Sequence, residues 1–328
     1  MKDQLLQALE SIQNKRILLL GDVMLDKYVE GSVSRISPEA PVPVLHVKSE
    51  RYVPGGASNV ASNITALGGH VTVLGVVGND ARKDFLLAEL RKRNINCDHL
   101  IIDGTRPTIE KTRMLSGSQH LLRVDYEDTS YINFNFEDQL FNKFVQLLEG
   151  TDCVVISDYA KGVITKRLME KIIPYCKEKG KILLVDPKPK HKKYYVGATY
   201  VTPNHKELCS MVGKDVNNMD HAVLELGNQL SSELQTNVLL TRGEKGMTYV
   251  PTTGDGFTIA TKAKEVFDVS GAGDTVVAAL SLALSAGIPV QTACALGNHA
   301  AGIVVGKLGT STVTADELRN AIQSEYVL

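Results

Sequence analysis

The feature that most constrains the fold of this chain is a repeated pattern of apolar runs that end in polar residues. Segments with a helical period, such as residues 165–179, lie between these runs. Buried strands of a parallel sheet are continuously apolar, and strands that alternate with helices define an α/β sheet. We therefore predict an α/β protein whose polar residues gather at the carboxyl ends of its strands, where ligands bind in such sheets. The runs are residues 16–22, 153–158, 181–186, 200–204 and 238–242.

A second constraint is the stretch Asp268-Val269-Ser270-Gly271-Ala272-Gly273-Asp274-Thr275, which an apolar run follows at once. It predicts a tight turn that leads into a buried helix, because glycine lets the backbone bend sharply. The first N–H groups of a helix have no internal partner, so the amides of Gly271, Ala272 and Gly273 can hold an anion. An ionised Asp274 is favoured at the same helix start. Phosphoryl transfer to a hydroxyl suits this arrangement, and a glycine turn with an aspartate cap explains it equally well.

Two groups of residues are candidates for holding a sugar or nucleotide. One is a pair of aspartates that follows the first apolar run. The other is a glycine pair at a helix start, with two asparagines one turn apart on one face of the helix. Asparagine both donates and accepts hydrogen bonds, as sugar hydroxyls require. Turn aspartates and buried capping amides are the alternative explanations for Asp22, Asp26, Gly55, Gly56, Asn59 and Asn63.

The segments at about 28–54 and 107–126 break the α/β pattern with short β-type pieces. Prolines, which are tolerated at strand edges, recur in the first segment. We predict a small sheet outside the main layer that serves as a lid over the site, as an oligomer contact, or as both. In the second segment Lys111, Arg113 and Arg123 alternate with apolar or small residues, so their charges can share one face. Such a face can bind a phosphorylated substrate, or its charges can simply be solvated.

Two later stretches suit a nucleotide and its metal ion. Asn204 and Glu207 lie three residues apart at a helix start, where they can position a hydrated Mg²⁺ or form an ordinary helix cap. The strand that ends near Thr241 leads into a glycine turn through Gly246, which a nucleotide can approach closely.

Composition excludes several classes of function. The net charge is −1 and Trp is absent, so neither a basic field nor a stacking platform favours nucleic acid. No apolar run approaches the ~18 residues that a membrane helix needs. Five scattered cysteines without a C-x-x-C pair indicate reduced thiols. We expect a cytoplasmic protein with no nucleic-acid or membrane partner, and a single domain over residues 1–328, since no linker divides the chain.

Together the motifs resemble those of the PfkB (ribokinase-like) family of carbohydrate kinases. The glycine motif from Gly55, with Gly68 and Gly78 beyond it, matches the first family signature, and the stretch from Asp268 to Asp274 matches the second. Asn204-His205-Lys206-Glu207 matches the N-x-x-E motif associated with magnesium. A Rossmann oxidoreductase would instead need G-x-G-x-x-G after an early strand, where this chain has Gly21-Asp22-Val23-Met24. The resemblance implies a mostly parallel central sheet flanked by helices, with a small β-sheet lid.

The same resemblance implies roles for single residues. Asp274 would be the general base, and the amides of Gly271, Ala272 and Gly273 would form the anion hole. ATP and Mg²⁺ are implied, with Asn204 and Glu207 near the phosphates. Some members also bind a monovalent cation such as K⁺, for which Asp268 is the candidate. The implied nucleotide side consists of Thr241, Arg242, Gly243, Gly246 and Asn298.

A narrower resemblance is to kinases of D-glycero-β-D-manno-heptose 7-phosphate, which form the 1,7-bisphosphate on the route to ADP-heptose and lipopolysaccharide. Five segments carry it: 21–26, 34–44, 111–113, 122–125 and 157–162. It implies transfer to the anomeric hydroxyl and cations for the 7-phosphate, the candidates being Lys111, Arg113, Arg123, Lys161 and Lys188.

Many bacteria fuse that kinase to a carboxyl-terminal nucleotidyltransferase, and we expect only the kinase half here. A homodimer through the lid strands is also implied. A PfkB-family kinase of another sugar or sugar phosphate is the alternative, and a non-catalytic sugar- or nucleotide-binding protein is a remote one.

Overall fold

A computed structural model of the chain describes residues 1–117, 119–261, 267–307 and 309–325. The helices of this part are α1 (Lys2–Ser11), α2 (Ala57–Ala66), α3 (Ala81–Lys92), α4 (Phe134–Leu148), α5 (Lys166–Glu178), α6 (His205–Val212), α7 (Asp220–Leu234), α8 (Ala272–Ser285), α9 (Val290–Val304) and α10 (Ala315–Glu325). The strands are β1 (Arg16–Gly21), β2 (Val23–Ile36), β3 (Pro43–Gly56), β4 (His70–Leu74), β5 (Val76–Val77), β6 (Ile101–Ile102), β7 (Glu110–Ser116), β8 (Gln119–Tyr126), β9 (Cys153–Ser157), β10 (Ile182–Asp186), β11 (Tyr200–Val201), β12 (Asn237–Thr241), β13 (Met247–Val250) and β14 (Phe257–Ile259).

The main sheet has the strand order β14-β13-β12-β11-β10-β9-β1-β4. Strands β4, β1, β9, β10, β11 and β12 pair in parallel, whereas β13 and β14 form an antiparallel edge. The mostly parallel α/β sheet that the apolar runs predict is therefore confirmed. The carboxyl ends of its parallel strands meet at one edge, which is where the polar residues of the site gather.

Helices on both faces of the sheet explain why its strands are continuously apolar. Along β1, Ile17 and Leu19 pack into one apolar cluster, and Leu18 and Leu20 pack into the cluster on the opposite face. Successive side chains of a strand point to opposite faces, so each face must be apolar when both are covered. All five cysteines are free and buried, as expected of core side chains.

The small second sheet has the order β3-β2-β7-β8. It is built directly onto the site, since β2 follows β1 after one residue and β3 runs into α2 at Gly56. Gly56 has φ 54°, and a Cβ there would lie 2.8 Å from the carbonyl oxygen of Asp22. Only glycine satisfies both conditions, so the paired glycines fix the joint between this sheet and α2.

No helix in the described ranges is long and apolar enough to cross a membrane.

Candidate active site

Asp274 is the focus of the site, in the first turn of α8. Its Oδ1 accepts a hydrogen bond from the Tyr159 hydroxyl at 2.6 Å, and its Oδ2 accepts one from Nδ2 of Asn59 at 2.7 Å. Only 6% of the residue is exposed. These two donors come from the loop after β9 and from α2, so three separate parts of the chain meet at one carboxylate.

The surroundings of Asp274 make it a stronger base than an ordinary aspartate. Burial raises its pKa to about 6, although the hydrogen bonds from Tyr159 and Asn59 oppose that rise. The charge of Asp26 adds to the increase and that of Lys188 reduces it. A carboxylate with this pKa is ionised at neutral pH and is still basic enough to take a proton from a hydroxyl.

The turn before α8 has the geometry of an anion-binding helix start. Gly271 has φ 80°, and a Cβ there would lie 2.9 Å from Nδ2 of Asn59, so the position requires glycine. The first α-helical hydrogen bond of α8 is donated by the N–H of Thr275 to the carbonyl of Gly271, at 3.0 Å. The N–H of Gly273 precedes that first helical bond and has no helical acceptor. The N–H of Ala272 already donates to the Val269 carbonyl at 3.3 Å.

Asp268 shapes this turn through its side chain. Its Oδ1 accepts from the Ser270 N–H at 2.8 Å, and its Oδ2 accepts from the Gly309 N–H at 3.0 Å. Burial alone would raise the pKa of Asp268, but these amide bonds prevail and lower it. The carboxylate is therefore ionised and joins the turn to the loop after α9.

The asparagines of α2 have different surroundings. Asn59 reaches the base, as described above. Asn63 has no exposed surface, donates from Nδ2 to the Asn59 carbonyl at 3.0 Å, and accepts from the Thr275 hydroxyl at 3.0 Å. Asn63 thereby fixes α2 against α8.

Asp22 organises the loop after β9. Its two carboxylate oxygens accept from the backbone N–H groups of Tyr159, Lys161 and Val163 at 2.8–3.1 Å, and the residue has no exposed surface. Burial, with the charge of Asp158, raises the pKa of Asp22 to about 6. These contacts explain how the loop holds the Tyr159 hydroxyl against Asp274.

The small sheet presents a charged face toward this centre. Asp26 pairs in register with Lys111, and Arg113 pairs with Arg123, which places these side chains on one face as predicted. Nη1 of Arg113 lies 2.7 Å from Oδ1 of Asp26, and a Cβ on Gly55 would meet Oδ2 of that aspartate at 2.8 Å.

Each of the five cations predicted to bind phosphate has a carboxylate partner. The pairs are Arg113 with Asp26, Arg123 with Asp125, Lys111 with Asp125 and Glu127, Lys161 with Glu127, and Lys188 with Glu207. A substrate phosphate would therefore exchange with these carboxylates rather than meet bare cations.

Asn204 and Glu207 form a capping box at the start of α6. The Asn204 side chain accepts from the Glu207 N–H, and Oε2 of Glu207 accepts from the Asn204 N–H, both at 3.0 Å. The remaining oxygen, Oε1, lies 2.6 Å from Nζ of Lys188. No group of three or more His, Cys, Asp or Glu within the described residues forms a metal cage. Mg²⁺ usually keeps several waters and takes one or two carboxylates plus substrate phosphates, and Glu207 fits that limited role.

The nucleotide-side candidates lie along the end of β12. Thr241 forms an isolated parallel bridge with Asn204, which brings this strand end beside the capping box. Gly243 and Gly246 have φ of 58° and 80°. A Cβ on Gly243 would meet no atom of the described part of the chain within 4 Å, which leaves room for a ligand beside its backbone. Asn298 donates from Nδ2 to the Ala260 carbonyl at 2.5 Å.

Arg242 points inward instead of toward a ligand. Its guanidinium is fully buried and contacts Oδ1 of Asp220 at 2.6 Å, Oδ1 of Asn218 at 2.8 Å and the Thr248 hydroxyl at 3.0 Å. These contacts fix the turn at the end of β12.

Sequence reasoning missed Tyr159 and Asp186 as site residues. Burial, together with the charge of Asp274, raises the pKa of Tyr159 well above its ordinary value, so its hydroxyl remains a donor. Asp186 ends β10, and burial with the Asp274 charge raises its pKa as well. Tyr159 follows β9 and Asp186 is the last residue of β10. The expectation that ligand-binding residues lie at the carboxyl ends of parallel strands, which singled out Asp22, could therefore have identified both.

Comparisons with known proteins identify the family of the chain. The family model of the pfkB family carbohydrate kinases matches residues 14–317. The bifunctional protein HldE of Desulfatibacillum aliphaticivorans is 43% identical over 316 residues, which cover 95% of this chain and 64% of that protein. The chain thus spans a little under two thirds of that relative's length.

Solved structures with low sequence identity share the fold. Phosphofructokinase-2 from Escherichia coli, in complex with potassium, has a TM-score of 0.77 at 18% identity and covers 95% of this chain and 99% of its own. A putative ribokinase from Agrobacterium tumefaciens has a TM-score of 0.76 at 18% identity, with 95% and 98% covered. The ribokinase-like fold predicted from the motifs is confirmed, and the chain belongs to the pfkB family of carbohydrate kinases and is an ATP-dependent sugar kinase.

Proposed function

We propose that this kinase transfers the γ-phosphate of ATP to the anomeric hydroxyl of D-glycero-β-D-manno-heptose 7-phosphate and forms the 1,7-bisphosphate. The observation that carries the proposal is the buried Asp274 carboxylate at the start of α8, held by Tyr159 and Asn59. The similarity of five segments to heptose 7-phosphate kinases and the 43% identity to a bifunctional HldE protein support the choice of sugar.

In this proposal Asp274 takes the proton from the attacking hydroxyl. The open amide of Gly273 and the neighbouring helix start stabilise charge that develops on the transferring group. Asn59 keeps the carboxylate oriented and lines the sugar side together with Gly55 and Asp26. Asp22 and Asn63 act behind this surface, since neither has exposed area.

ATP would lie along the end of β12, near Thr241 and Gly243. Glu207, with Asn204, would hold the water shell of Mg²⁺, which when bound neutralises phosphate charge. A monovalent cation beside Asp268 is a further proposal, and the potassium in the phosphofructokinase-2 structure supports it. Comparing turnover in potassium chloride and in tetramethylammonium chloride at equal ionic strength tests it: equal rates would contradict it.

The face that carries Lys111, Arg113 and Arg123 would receive the 7-phosphate, with Lys161 and Lys188 approaching from the main sheet. We also propose that the chain forms one kinase domain, with the small sheet as its lid. A homodimer through β2 and β3 is proposed from the family resemblance, and exposed apolar side chains on these strands, among them Ile36 and Val47, support it. Sedimentation of the wild type and of Val47→Lys tests it, since a dimer contact predicts dissociation of the variant.

The function is tested by incubating the protein with ATP and Mg²⁺ and a panel of acceptors, with ADP release as the readout. The panel needs the heptose 7-phosphate, the same heptose without phosphate, fructose 6-phosphate and ribose. The proposal predicts the highest kcat/KM for the heptose 7-phosphate. A higher value for an unphosphorylated sugar would contradict it and favour another sugar kinase, whereas no ADP release with any acceptor would favour a binding protein.

A further inference from the structure

Glu127, the residue after β8, lies between the small sheet and the main sheet. Its Oε1 lies 2.6 Å from Nζ of Lys161, in the loop after β9, and its Oε2 lies 3.5 Å from Nζ of Lys111, on β7. One carboxylate therefore bridges two cations, with one oxygen toward each. It also connects the lid to the body of the kinase.

The three side chains are only partly accessible. The exposed fractions are 15% for Lys111, 18% for Lys161 and 21% for Glu127. Burial alone would raise the pKa of Glu127, but the hydrogen bond from Lys161 and the charge of Lys111 lower it. The bridge is thus an ionic contact in a sheltered position, where charge interactions are screened less than at an open surface.

The charge balance of this cluster favours an additional anion. Lys111, Arg123 and Lys161 supply three positive charges, and Asp125 and Glu127 supply two negative ones. Asp125 is held by a two-point contact with Arg123, at 2.9 and 3.0 Å. Glu127 pairs with no arginine among the described residues and is the carboxylate that is easier to displace.

The cluster is also joined to the reacting centre. The backbone N–H of Lys161 donates to Asp22, in the same loop that positions Tyr159 against Asp274. Lys111 pairs in register with Asp26, whose charge acts on Asp274. An anion held between the two lysines would lie on the side of the lid that faces the base.

We propose that Glu127 stands in for the phosphate of the substrate: its carboxylate bridges Lys111 and Lys161 until a phosphosugar displaces it. This inference rests on the proposed phosphosugar kinase function. A phosphate monoester presents several oxygens and up to two negative charges, so it can replace a carboxylate between two ammonium groups. An unphosphorylated sugar carries no group that can do so, and Glu127 then keeps both lysines.

The test is the binding of inorganic phosphate to the folded protein and to Glu127→Gln, measured by titration calorimetry with a saturating non-hydrolysable ATP analogue so that all three nucleotide phosphate positions are filled. Glutamine keeps the size of the side chain and removes the competing charge. We expect inorganic phosphate to bind about threefold to tenfold more tightly to the variant, as the loss of one partly screened charge contact implies. We expect the KM for the heptose 7-phosphate to fall by a similar factor.

Two controls make the result specific. Glu50→Gln removes another lid carboxylate, one that pairs with Lys27 at 2.9 Å, and should leave phosphate binding unchanged. Adding Lys161→Gln to Glu127→Gln should abolish the gain. Unchanged or weaker phosphate binding by Glu127→Gln would overturn the inference, because weaker binding would mean that Glu127 only positions the lysines. The sugar panel decides the proposed function separately, since phosphate binding is measured without any sugar.

Discussion

The hydrogen bond from Tyr159 to Asp274 leads to a prediction about the pH dependence of catalysis. Asp274 must be ionised to act as a base, so activity should fall as the pH decreases through its pKa of about 6. The Tyr159 hydroxyl stabilises the ionised form, because it donates to Oδ1 at 2.6 Å. Replacing Tyr159 with Phe removes that donor while Asn59 still donates to Oδ2, so the pKa should rise.

The size of the shift follows from the strength of the lost bond. A hydrogen bond to a charged group contributes about 1.5–3 kcal/mol. One pKa unit corresponds to about 1.4 kcal/mol, so the lower end of that range predicts a rise of about one unit. The other groups that act on Asp274, chiefly Asp26 and Lys188, are unchanged by the substitution. The acid limb of the profile should therefore move from about pH 6 to about pH 7.

The assay is kcat/KM for the phosphosugar as a function of pH, for wild type and Tyr159→Phe. The substrate phosphate itself has a second pKa near 6, so the difference between the two proteins is informative and the absolute midpoint is not. Tyr195→Phe is the matched control, because its hydroxyl donates at the same 2.6 Å to the buried Asp158. The prediction would be refuted if the acid limb of the pH profile did not move in Tyr159→Phe, or if it moved equally in Tyr159→Phe and Tyr195→Phe.

Three further predictions concern other residues of the site. Asp22→Asn should lower the free energy of unfolding in urea by about 1–3 kcal/mol near pH 5, because its amide NH₂ would face a backbone N–H. The stability difference between wild type and Asp22→Asn should narrow as the pH rises through about 6. The raised pKa of Asp22 in the folded state stabilises the wild type at low pH, and this contribution is lost as the pH rises through that pKa. Arg242→Met should lower the melting temperature, because it removes the buried guanidinium that contacts Asp220, Asn218 and Thr248, and should change the KM for ATP by less than about twofold. Arg113→Ala should raise the KM for the phosphosugar by about tenfold or more, because it leaves the buried Asp26 unpaired beside the sugar. A KM equal to that of wild type would count against this face as the phosphate site.

The fold could be predicted from the sequence because the apolar patterns that indicate strands and helices involve residues close together in the chain. The apolar run from Ile17 to Leu20 has to be covered on both sides, and this requirement alone indicates a parallel sheet with helices on each face. The start of α8 follows from Gly271, whose left-handed backbone only glycine adopts readily. The capping box of Thr314 and Glu317 at the start of α10 is also local, with both reciprocal bonds present.

The partners of the charged side chains could not be predicted in the same way. Tyr159 and Asp274 are 115 residues apart, and their contact depends on where two loops meet at the sheet edge. Arg242 lies next to a glycine turn, and no sequence pattern shows that its side chain turns inward to Asp220. The alternation along the lid strands indicates that its cations share a face but does not identify their carboxylate partners.

The most direct measurement of the proposed mechanism is the rate of phosphoryl transfer by Asp274→Ala in a single turnover, with ATP and the heptose 7-phosphate both saturating. Circular dichroism and ATP binding by calorimetry establish that the variant is folded and still binds nucleotide. If Asp274 is the general base, the rate should fall by at least ~100-fold while ATP binding is retained. A folded variant that binds ATP and transfers phosphate at close to the wild-type rate would contradict the assignment of Asp274 as the base.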